Sequence, residues 1–391
     1  MKIAFLTCGM LPIPAVQGGA VENKIDFILE YNNRTKLHDI TVYSPRNEAA
    51  AIHPAVLSDV NHYIFIDVSS LKARIARRFY GYNHSGEYYN YFIEYYFEQV
   101  YAHLKHQDYD FIYLDNCPGY VCKLSQRGHK KLVLRLGNDL LNSETKEHNL
   151  IFNSLRKILT CSNYIKNRVA TIQNDNKIQT LYNGIDVKKF SSREKQLISR
   201  KEIGLSADDF VIVFSGRVNK DKGVSELIDA MIKLTEISNI KLMIIGSTFF
   251  ANATGEDDFV HLLKAKAKKI KDRIVFTGYI PYEKMPYYLH IADMAALPSM
   301  WEEPFGLTIA EAMAAGLPLI TTRSGGIPEI CDGVATILDR DDIVNNLAAA
   351  ILDLYKHPEK REQMATKALE RARLFDKETF VQNFFSAIED I

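Results

Sequence analysis

Short apolar runs recur along the first half of the chain and alternate with segments that have helical spacing of apolar positions. The runs read KIAFLT, DITVYS, YIFIDV, DFIYLD, KKLVLRL and KILTCS. Helices are predicted between them, over about residues 21–31 and 87–104. Continuous apolar runs separated by helices are typical of strands buried on both faces of a parallel sheet. The first half therefore predicts a doubly wound α/β domain.

A second series of the same kind follows a polar segment at about residues 185–208. Its strand-like runs are FVIVFSG, IKLMIIGS, RIVFTGY, MAALPS, LPLITT and ATILD. Helices are predicted over residues 223–236, 257–270, 283–291 and 307–314 and at the C-terminus. The simplest interpretation is two Rossmann-like α/β domains, at 1–190 and 191–375, with a helix at 376–391 that packs back on the first domain. Ligands of such sheets bind beyond the carboxyl ends of the strands, so we expect the site in a cleft between facing domains.

Composition and charge narrow the class of protein. The 391 residues include 48 Lys and Arg and 48 Asp and Glu, so no overall charge indicates a nucleic-acid partner. Residues 1–190 carry 23 basic and 18 acidic residues, which favours that half for an anionic partner. The opening MKIAFLTCG predicts a strand rather than a signal peptide, and no apolar run has the length of a membrane span. We expect a cytoplasmic protein whose five scattered cysteines are buried small hydrophobes, without disulfides.

Candidate chemistry appears where the first strand of the second series ends, in the segment GRVNKDKG. It supplies Gly216, Arg217, Lys220, Lys222 and Gly223 before a predicted helix. Glycine permits close approach of the backbone, and the arginine fork and lysine ammonium suit a diphosphate. The alternative is a solvated, charged turn.

Two carboxylates flank a turn further along the chain, in the segment EEPFGLTIAEAMAAGLPLITTRSGG at 302–326. Glu303 precedes the turn, and Glu311 lies inside the predicted helix. Amides at the start of that helix favour an anion such as phosphate, whereas a carboxylate inside it would accept hydrogen bonds from sugar hydroxyls. The alternatives are a dipole partner for Glu303 and an exposed helical glutamate for Glu311. The amides concerned belong to Phe305, Gly306, Leu307 and Thr308.

These segments resemble the donor half of the retaining GT-B glycosyltransferases of family 4, the glycosyl transferases of group 1. The resemblance is carried by GRVNKDKG and by residues 278–330, where the Glu-x7-Glu pattern of the family falls on Glu303 and Glu311. TCSNYIKNRV and YNGIDVKKF are similar to the segment that ends the acceptor domain of that family, and GGAVE at 18–22 to its first glycine-rich loop. The resemblance implies a GT-B fold, with two Rossmann-like domains facing each other across a cleft.

The resemblance also implies roles for individual residues. Arg217 and Lys222 would hold the donor diphosphate, Glu311 its ribose, and Glu303 the transferred sugar. The amides of residues 305–308 would surround the hydroxyls and phosphate of the donor. Close approach of the backbone to the donor would depend on Gly18, Gly19 and Gly216. Its base would be read by backbone groups after the third strand of the second series, at Gly278, Tyr279 and Ile280.

The first domain departs from the family pattern at one point. Many relatives carry a histidine beside the reacting sugar, and the comparable segment here is LRLGNDLL at 134–141, which has none. Arg135, Asn138 and Asp139 remain candidates for contact with the donor sugar or the acceptor, and so does Asn116 in LDNCPGY. The alternative for each of them is a position in a turn that contacts no ligand.

The implied chemistry is transfer with retention of the anomeric configuration. A donor phosphate oxygen would take the acceptor proton, so that neither a protein nucleophile nor a metal nor another cofactor is required. The Asp-x-Asp at Asp108 and Asp110 precedes a strand rather than following one, and we interpret it as structural. The donor is expected to be a nucleotide sugar, UDP-linked, that carries a hexosyl or N-acetylhexosaminyl group.

The acceptor is expected to be a glycan or lipid-linked oligosaccharide of cell-envelope polysaccharide assembly, such as lipopolysaccharide or capsule. The stretch 70–105 combines Lys72, Arg74, Arg77 and Arg78 with many aromatic residues. It would dock on an anionic membrane surface or stack on sugar rings, unless it is a core helix with a solvated basic face. A sugar-nucleotide epimerase of the same architecture is the rival function, and a non-catalytic glycan-binding module is a third.

Overall fold

The computed structural model describes residues 1–83, 91–193, 198–247, 258–389 and 391. The chain divides into two compact units. The first comprises Met1–Gly184 and Lys377–Ile391, and the second comprises Ile185–Asp376. The C-terminal helix therefore belongs to the same unit as the N-terminal sheet.

The first unit contains a seven-stranded sheet in the order β3-β2-β1-β4-β5-β6-β7, with every neighbouring pair parallel. The chain winds outward from β1 in one direction and from β4 in the other, so the strand order reverses between these two strands. Ligand sites of doubly wound sheets lie at this switch point. The strands are β1 Lys2–Leu6, β2 Asp39–Pro45, β3 Asn61–Ile66, β4 Phe111–Asp115, β5 Leu132–Leu136, β6 Leu155–Thr160 and β7 Ile178–Thr180.

The second unit repeats the arrangement with six parallel strands in the order β10-β9-β8-β11-β12-β13. Its switch point lies between β8 and β11, which are neighbours although two strands separate them in the chain. The predicted fold class, two doubly wound Rossmann-like α/β domains, is confirmed. The strands are β8 Phe210–Ser215, β9 Ile240–Ile245, β10 Ile274–Gly278, β11 Met294–Leu297, β12 Leu319–Thr322 and β13 Thr336–Leu338.

Helices connect the parallel strands of both sheets. Of the helix predicted over 87–104, residues 87–90 lie outside the described part of the chain, and the remainder forms α4. The helices are α1 Ala20–Thr35, α2 Glu48–Ala51, α3 Leu71–Asn83, α4 Tyr91–Leu104, α5 Pro118–Gln126, α6 His148–Ser154, α7 Asn163–Ala170, α8 Val187–Ser191, α9 Val224–Lys233, α10 Asp258–Lys266, α11 Met285–His290, α12 Leu307–Ala314, α13 Ile327–Cys331, α14 Ile343–Lys356, α15 Pro358–Ala372 and α16 Lys377–Glu389.

Aromatic packing attaches α16 to the N-terminal sheet. The ring of Phe384 lies 5.2 Å from that of Tyr113 on β4 and 6.0 Å from that of Phe5 on β1, centroid to centroid. All three side chains are fully buried. Burial of such side chains from water is the main stabilising contribution available to a terminal helix, because an isolated helix of this length is marginal.

Two predicted helices are partly 3₁₀ in the structure, and the helix predicted over 223–236 ends at Lys233. The helix predicted over 257–270 ends at Lys266 and continues as a 3₁₀ segment, Ala267–Arg273, in which Ile270 has non-helical dihedral angles. The helix predicted over 283–291 begins with a 3₁₀ turn, Tyr282–Lys284, before α11. Pro286 lies in the first turn of α11, where its missing amide proton costs no hydrogen bond, so the α-helix proper starts there.

No helix in the described ranges is long and apolar enough to cross a membrane. The cysteines are free thiols, of which Cys8 is half-buried and the other four are buried. They are Cys8, Cys117, Cys122, Cys161 and Cys331.

Candidate functional site

The switch point of the second sheet collects half of the sequence-predicted site residues. The loop after β8 carries Gly216, Arg217 and the 3₁₀ turn Lys220–Lys222, and the loop after the adjacent β11 carries Glu303 and leads into α12. Because β8 and β11 are parallel neighbours, both loops leave the sheet at its carboxyl edge. Segments some 80 residues apart in the sequence are thereby brought together.

Lys222 and Glu303 form an ion pair at this edge. The ammonium Nζ of Lys222 lies 2.5 Å from Oε2 of Glu303, and the two side chains are 19% and 14% exposed. The same oxygen accepts hydrogen bonds from the indole Nε1 of Trp301, at 2.8 Å, and from the hydroxyl of Ser299, at 3.2 Å. A cation and a carboxylate are thus held side by side in a partly buried position, where charges interact more strongly than in bulk water.

Backbone contacts fix the two loops against each other. The amide of Met300 donates to the carbonyl of Asp221 at 2.7 Å. Gly223 has φ +69°, and a Cβ there would lie 1.9 Å from the carbonyl oxygen of Pro298. Only glycine fits this close approach of the two chains. The amide of Gly326 donates to the carbonyl of Glu303 at 2.7 Å, which anchors the carboxylate loop from its other side.

The start of α12 lies beside the loop after β8. A Cβ placed on Gly216 would lie 3.9 Å from Cγ2 of Thr308, so the glycine and the first turn of α12 are close neighbours. Gly306 has φ +104° and precedes Leu307, the first helical residue. Amides of a first helical turn point along the helix axis without intrahelical acceptors, which favours an anion there. The Phe305 side chain, by contrast, is buried, with its ring 5.6 Å from that of Phe375.

Arg217 and the segment after β10 complete this edge. Arg217 is exposed. Gly278, with φ +71°, ends β10, and its carbonyl accepts a hydrogen bond from the amide of Gly246 at 2.9 Å. Tyr279 is 41% exposed and Ile280 is half-buried. The structure therefore places the residues expected to read a base at the end of β10, two strands away from the Lys222 loop.

Glu311 lies on a buried face of α12. It is 7% exposed, and burial raises the pKa of its carboxyl to about 8, although the charge of Lys189 opposes the shift. The helix packs against α8, which carries Lys189. A buried carboxyl with a strongly shifted pKa is a common mark of a functional position, because burial of a charge costs free energy that packing alone would avoid.

This pKa predicts that Glu311→Gln stabilises the protein more at alkaline pH. An unfolded carboxyl ionises above about pH 4.5, whereas Glu311 in the folded protein stays protonated up to about pH 8. The parent therefore loses stability as the pH rises between these values, by at most about 1.4 kcal/mol per pH unit, and the glutamine does not. Chemical denaturation at pH 5.5 and 8 checks this. Exposed Glu362→Gln is the control, and an equal stability difference at both pH values would contradict the prediction.

The glycine-rich loop of the first unit lies before α1, at the switch point between β1 and β4. Gly18 and Gly19 have φ of +74° and +111°. A Cβ on Gly19 would lie 2.1 Å from Oε2 of Glu22, so the carboxylate packs directly on the bare α-carbon. Burial, with a smaller contribution from the charge of Asp115, raises the pKa of Glu22 to about 7. The sequence pattern GGAVE contained this glutamate, but only its glycines were assigned a role.

Arg135 is fully buried beneath the same edge of the first sheet. Its guanidinium hydrogen-bonds to Oδ1 of Asn183 and lies 3.6 Å from Oδ1 of Asp115. Lys24, which is 3% exposed, also donates to Asn183, at 3.4 Å. Burial and the charge of Arg135 lower the pKa of Lys24 to about 8. The guanidinium is therefore part of an interior polar cluster rather than a surface group open to an acceptor.

The other three acceptor-site candidates of the first unit have intramolecular partners. Oδ1 of Asn116 accepts the amide of Gly137 at 3.1 Å and thereby joins the ends of β4 and β5. Asp139 forms an ion pair with Arg168 at 2.6 Å and accepts from Asn142 at 2.9 Å. Asn138 is half-buried, and its carbonyl accepts the amide of Leu140 at 2.9 Å, within a turn. These contacts match the turn-forming alternative for the segment.

Sequence reasoning missed several residues of both edges, above all Trp301 and Ser299. The only tryptophan of the chain stands two positions before Glu303, and this proximity was the available signal. No comparable signal marked the polar cluster of the first unit, formed by Lys24, Asp115 and Asn183. These side chains lie close together because of the strand order and not because of their spacing in the sequence.

The described ranges can be compared with the side-chain clusters that hold metal ions, and the Asp-x-Asp sequence has a separate contact. They contain no group of three or more His, Cys, Asp or Glu side chains arranged to hold a metal ion. Asp110, part of the Asp-x-Asp sequence, accepts the amide of Lys2 at 2.7 Å and so fixes the start of β1. This contact gives the aspartate a structural role.

Part of the chain matches a known protein family, and the chain has curated relatives. Residues 195–371 match the family described as Glycosyl transferases group 1. Spore coat protein SA of Bacillus subtilis (strain 168) is 27% identical over 405 aligned residues, which cover 100% of this chain and 99% of that protein. The lipopolysaccharide 1,2-N-acetylglucosaminetransferase of Salmonella typhimurium (strain LT2) is 31% identical, over 43% of this chain and 45% of that enzyme.

The fold is shared with the crystal structure of Anabaena HepE in complex with UDP-glucose. The TM-score is 0.76 at 21% identity, and the alignment covers 100% of both chains. At that identity the likeness shows the fold alone, which is the GT-B fold. The match to the glycosyl transferases of group 1 lies within the second unit and spans most of it.

Proposed function

We propose that this protein is a retaining, family 4 glycosyltransferase that transfers a hexosyl or N-acetylhexosaminyl group from a UDP-linked sugar. The observation that carries the proposal is the convergence of Lys222 and Glu303 beside the start of α12, at the switch point of the second sheet. In this proposal Arg217 and Lys222 bind the donor diphosphate, Glu303 a hydroxyl of the transferred sugar, and Glu311 the ribose. UDP-glucose bound to Anabaena HepE, which has the same fold, supports the choice of donor class.

The chemistry requires stabilisation of the leaving group. The bond from the anomeric carbon to the diphosphate breaks, and its electron pair leaves with the diphosphate. Arg217, Lys222 and the amides of the first turn of α12 stabilise the negative charge that develops there. The acceptor oxygen attacks the anomeric carbon from the same face, and its proton passes to a phosphate oxygen of the leaving diphosphate. No protein nucleophile and no separate cofactor enter this scheme.

For the acceptor, we propose a glycan or lipid-linked oligosaccharide in the assembly of a cell-envelope polysaccharide such as lipopolysaccharide or capsule. The support comes from relatives, one of which is a lipopolysaccharide N-acetylglucosaminetransferase and another a spore coat protein. The proposed location is the cytoplasm, at the inner face of the membrane.

Donor turnover measured with and without glycan acceptors tests this function. Thermal-shift screening of nucleotide sugars first selects the donor, since a ligand at about 100 times its Kd adds roughly 2.7 kcal/mol of stability. We expect consumption of the selected donor to require an acceptor, and NMR coupling constants to show that the product keeps the donor's anomeric configuration. Donor rearrangement without acceptor would indicate an epimerase, and binding without any reaction a glycan-binding module. Inversion would refute the retaining mechanism.

Transfer should survive removal of divalent metal ions. Two side-chain cations and the helix amides take the place that a metal ion has at other diphosphate sites, so dialysis against EDTA is expected to change the initial rate by less than about twofold. Initial rates before and after dialysis give the answer. Loss of activity that returns on titration with Mg²⁺ or Mn²⁺ would refute this part of the proposal.

We also propose that the basic aromatic stretch of the first unit contacts an anionic membrane surface through α3. Three apolar side chains of this helix occur at i, i+4 and i+8 and remain exposed, Leu71 at 73%, Ile75 at 52% and Phe79 at 70%. The exposed cations Lys72, Arg74 and Arg78 lie on the same helix. An apolar stripe with adjacent cations is the pattern of a helix that lies in the interface of an anionic bilayer.

Loss of the apolar stripe should release the protein from vesicles. We expect Ile75→Ser/Phe79→Ser to weaken binding to vesicles that contain phosphatidylglycerol by about tenfold or more, because each side chain loses the free energy of burial in lipid. Co-sedimentation at low and high salt measures this. Leu57→Ser, which changes an exposed leucine of the first unit outside α3, is the control. Equal binding of parent and double variant, or equal binding to phosphatidylcholine alone, would exclude the proposed surface.

A further inference from the structure

Trp301 connects the two charged residues of the candidate site. Its indole Nε1–H donates to Oε2 of Glu303 at 2.8 Å, and its ring centroid lies 5.2 Å from Nζ of Lys222. The ammonium of Lys222 contacts the same carboxylate oxygen at 2.5 Å. One side chain thus offers a hydrogen-bond donor to the carboxylate and an aromatic face to the cation.

All three donors to the Glu303 side chain converge on one of its two oxygens. Lys222, Trp301 and Ser299 bond to Oε2, and Oε1 has no hydrogen-bond partner in the part of the chain that the structure describes. A carboxylate oxygen can accept two hydrogen bonds or more, so Oε1 keeps its full capacity for a ligand. The arrangement orients the carboxylate, with Oε2 on the protein side and Oε1 available.

The ion pair also limits what Lys222 can do at the same time. Its ammonium has three donors and is already shared between a carboxylate and an aromatic face. A diphosphate competes with Glu303 for this ammonium, and we expect it to draw Lys222 at least partly away from the carboxylate. When it does so, the carboxylate keeps its position only if its other two donors hold it.

We infer that Trp301 is a positioning residue that holds Glu303 in place while Lys222 moves from this carboxylate to the donor diphosphate. The inference rests on the proposed function, since it assigns Lys222 to the diphosphate and Glu303 to the transferred sugar. The indole N–H keeps Oε2 fixed after the ammonium leaves, so that Oε1 meets a sugar hydroxyl. Ser299, at 3.2 Å from the same oxygen, assists with a longer hydrogen bond.

Kinetics of Trp301→Phe test the inference. Phenylalanine keeps an aromatic face for Lys222 but removes the donor to Glu303. We expect kcat to fall by about tenfold to 100-fold, the range for one hydrogen bond to a charged group, with KM and the Kd of UDP within about twofold of the parent. UDP lacks the transferred sugar, and Trp301→Phe keeps the charge of Glu303, so the competition for Lys222 is unchanged and UDP affinity should be too. Tyr355→Phe removes an aromatic hydrogen-bond donor elsewhere in the second unit and is the matched control.

A double-mutant cycle shows whether Trp301 acts through Glu303. In the Glu303→Gln background, we expect Trp301→Phe to lower kcat by less than about threefold, because the carboxylate that the indole orients is already absent. Ser299→Ala should lower kcat less than Trp301→Phe in the parent. Additive losses in the cycle, or equal losses of kcat and UDP affinity, would overturn the positioning role.

A spectroscopic measurement probes the contact without turnover. Because the chain has one tryptophan, its ¹⁵N-labelled indole gives a single N–H resonance. We expect Glu303→Gln to shift this resonance, UDP to leave the indole bonded, and melting temperatures of the variants to stay near the parent's. If the indole N–H chemical shift is the same in Glu303→Gln as in the parent, the inference is overturned, even in an active transferase. Absence of binding and turnover with every nucleotide sugar would instead refute the proposed function and the inference with it.

Discussion

Lys222→Ala is expected to lower turnover by about 100-fold to 1000-fold while the Michaelis constant changes far less. In the proposed mechanism the ammonium stabilises charge that develops on the leaving diphosphate, so its contribution is larger in the transition state than in the bound donor. Loss of such a group in a water-poor site costs about 2.7 to 4 kcal/mol of activation free energy. Turnover, Michaelis constant and melting temperature are measured together on the same preparation.

Lys220→Ala is the matched control, because Lys220 is an exposed lysine of the same 3₁₀ turn. Removal of Lys222 leaves Glu303 with its hydrogen bonds from Trp301 and Ser299, so the melting temperature should stay near that of the parent. Arg217→Ala should also lower turnover, and Arg217→Lys should not restore it, since lysine lacks the planar fork. Near-normal turnover of the alanine variants, or collapse of their fold, would identify GRVNKDKG as a structural turn.

Glu303→Gln and Glu311→Gln are expected to separate turnover from nucleotide binding. Glu303→Gln should reduce turnover by about tenfold or more without weakening the binding of UDP, because UDP lacks the sugar that Glu303 contacts and the neutral amide competes less for Lys222. Glu311→Gln should weaken the binding of both donor and UDP, since the ribose is common to the two. Isothermal titration with UDP, alongside steady-state kinetics, distinguishes the two variants.

Exposed Glu362→Gln, on α15, controls for the loss of one carboxylate from the second unit. The division of labour would be refuted by equal losses of UDP affinity in the two site variants. It would also be refuted if Glu311→Gln changed turnover alone. The pH series of unfolding for Glu311→Gln is independent of any ligand, so it separates a buried-charge effect on stability from a change in binding.

The sequence alone was sufficient to predict the fold class and most of the second-unit edge. Apolar runs alternating with helical segments have periods that reflect local backbone geometry, and the predicted strands FVIVFSG and MAALPS became β8 and β11. Gly216, Lys222 and Glu303 follow such strands, and parallel strands all end at one edge of a sheet. Their common location therefore followed from local pattern and the general rule for doubly wound folds.

Local pattern was less reliable for exact helix bounds and for buried polar groups. Pro286 and the break at Ile270 shortened two predicted helices, because hydrogen-bond geometry at a helix end depends on contacts that spacing does not contain. Arg135 was a candidate for substrate contact by its position after an apolar run. The structure buries its guanidinium beside Asp115 and Asn183, residues that only the strand order brings next to it.

What the sequence determined by itself is thus the set of strands and helices, the order of two α/β units, and the glycines, cations and carboxylates that follow strands. Only the tertiary structure decided which of these groups meet. Lys222, Trp301 and Glu303 converge because β8 and β11 pair across the switch point of the sheet, although 81 residues separate the lysine from the carboxylate. The pKa of Glu311 likewise depends on burial against α8, since removal of water from around a carboxyl is a property of packing and not of sequence neighbours.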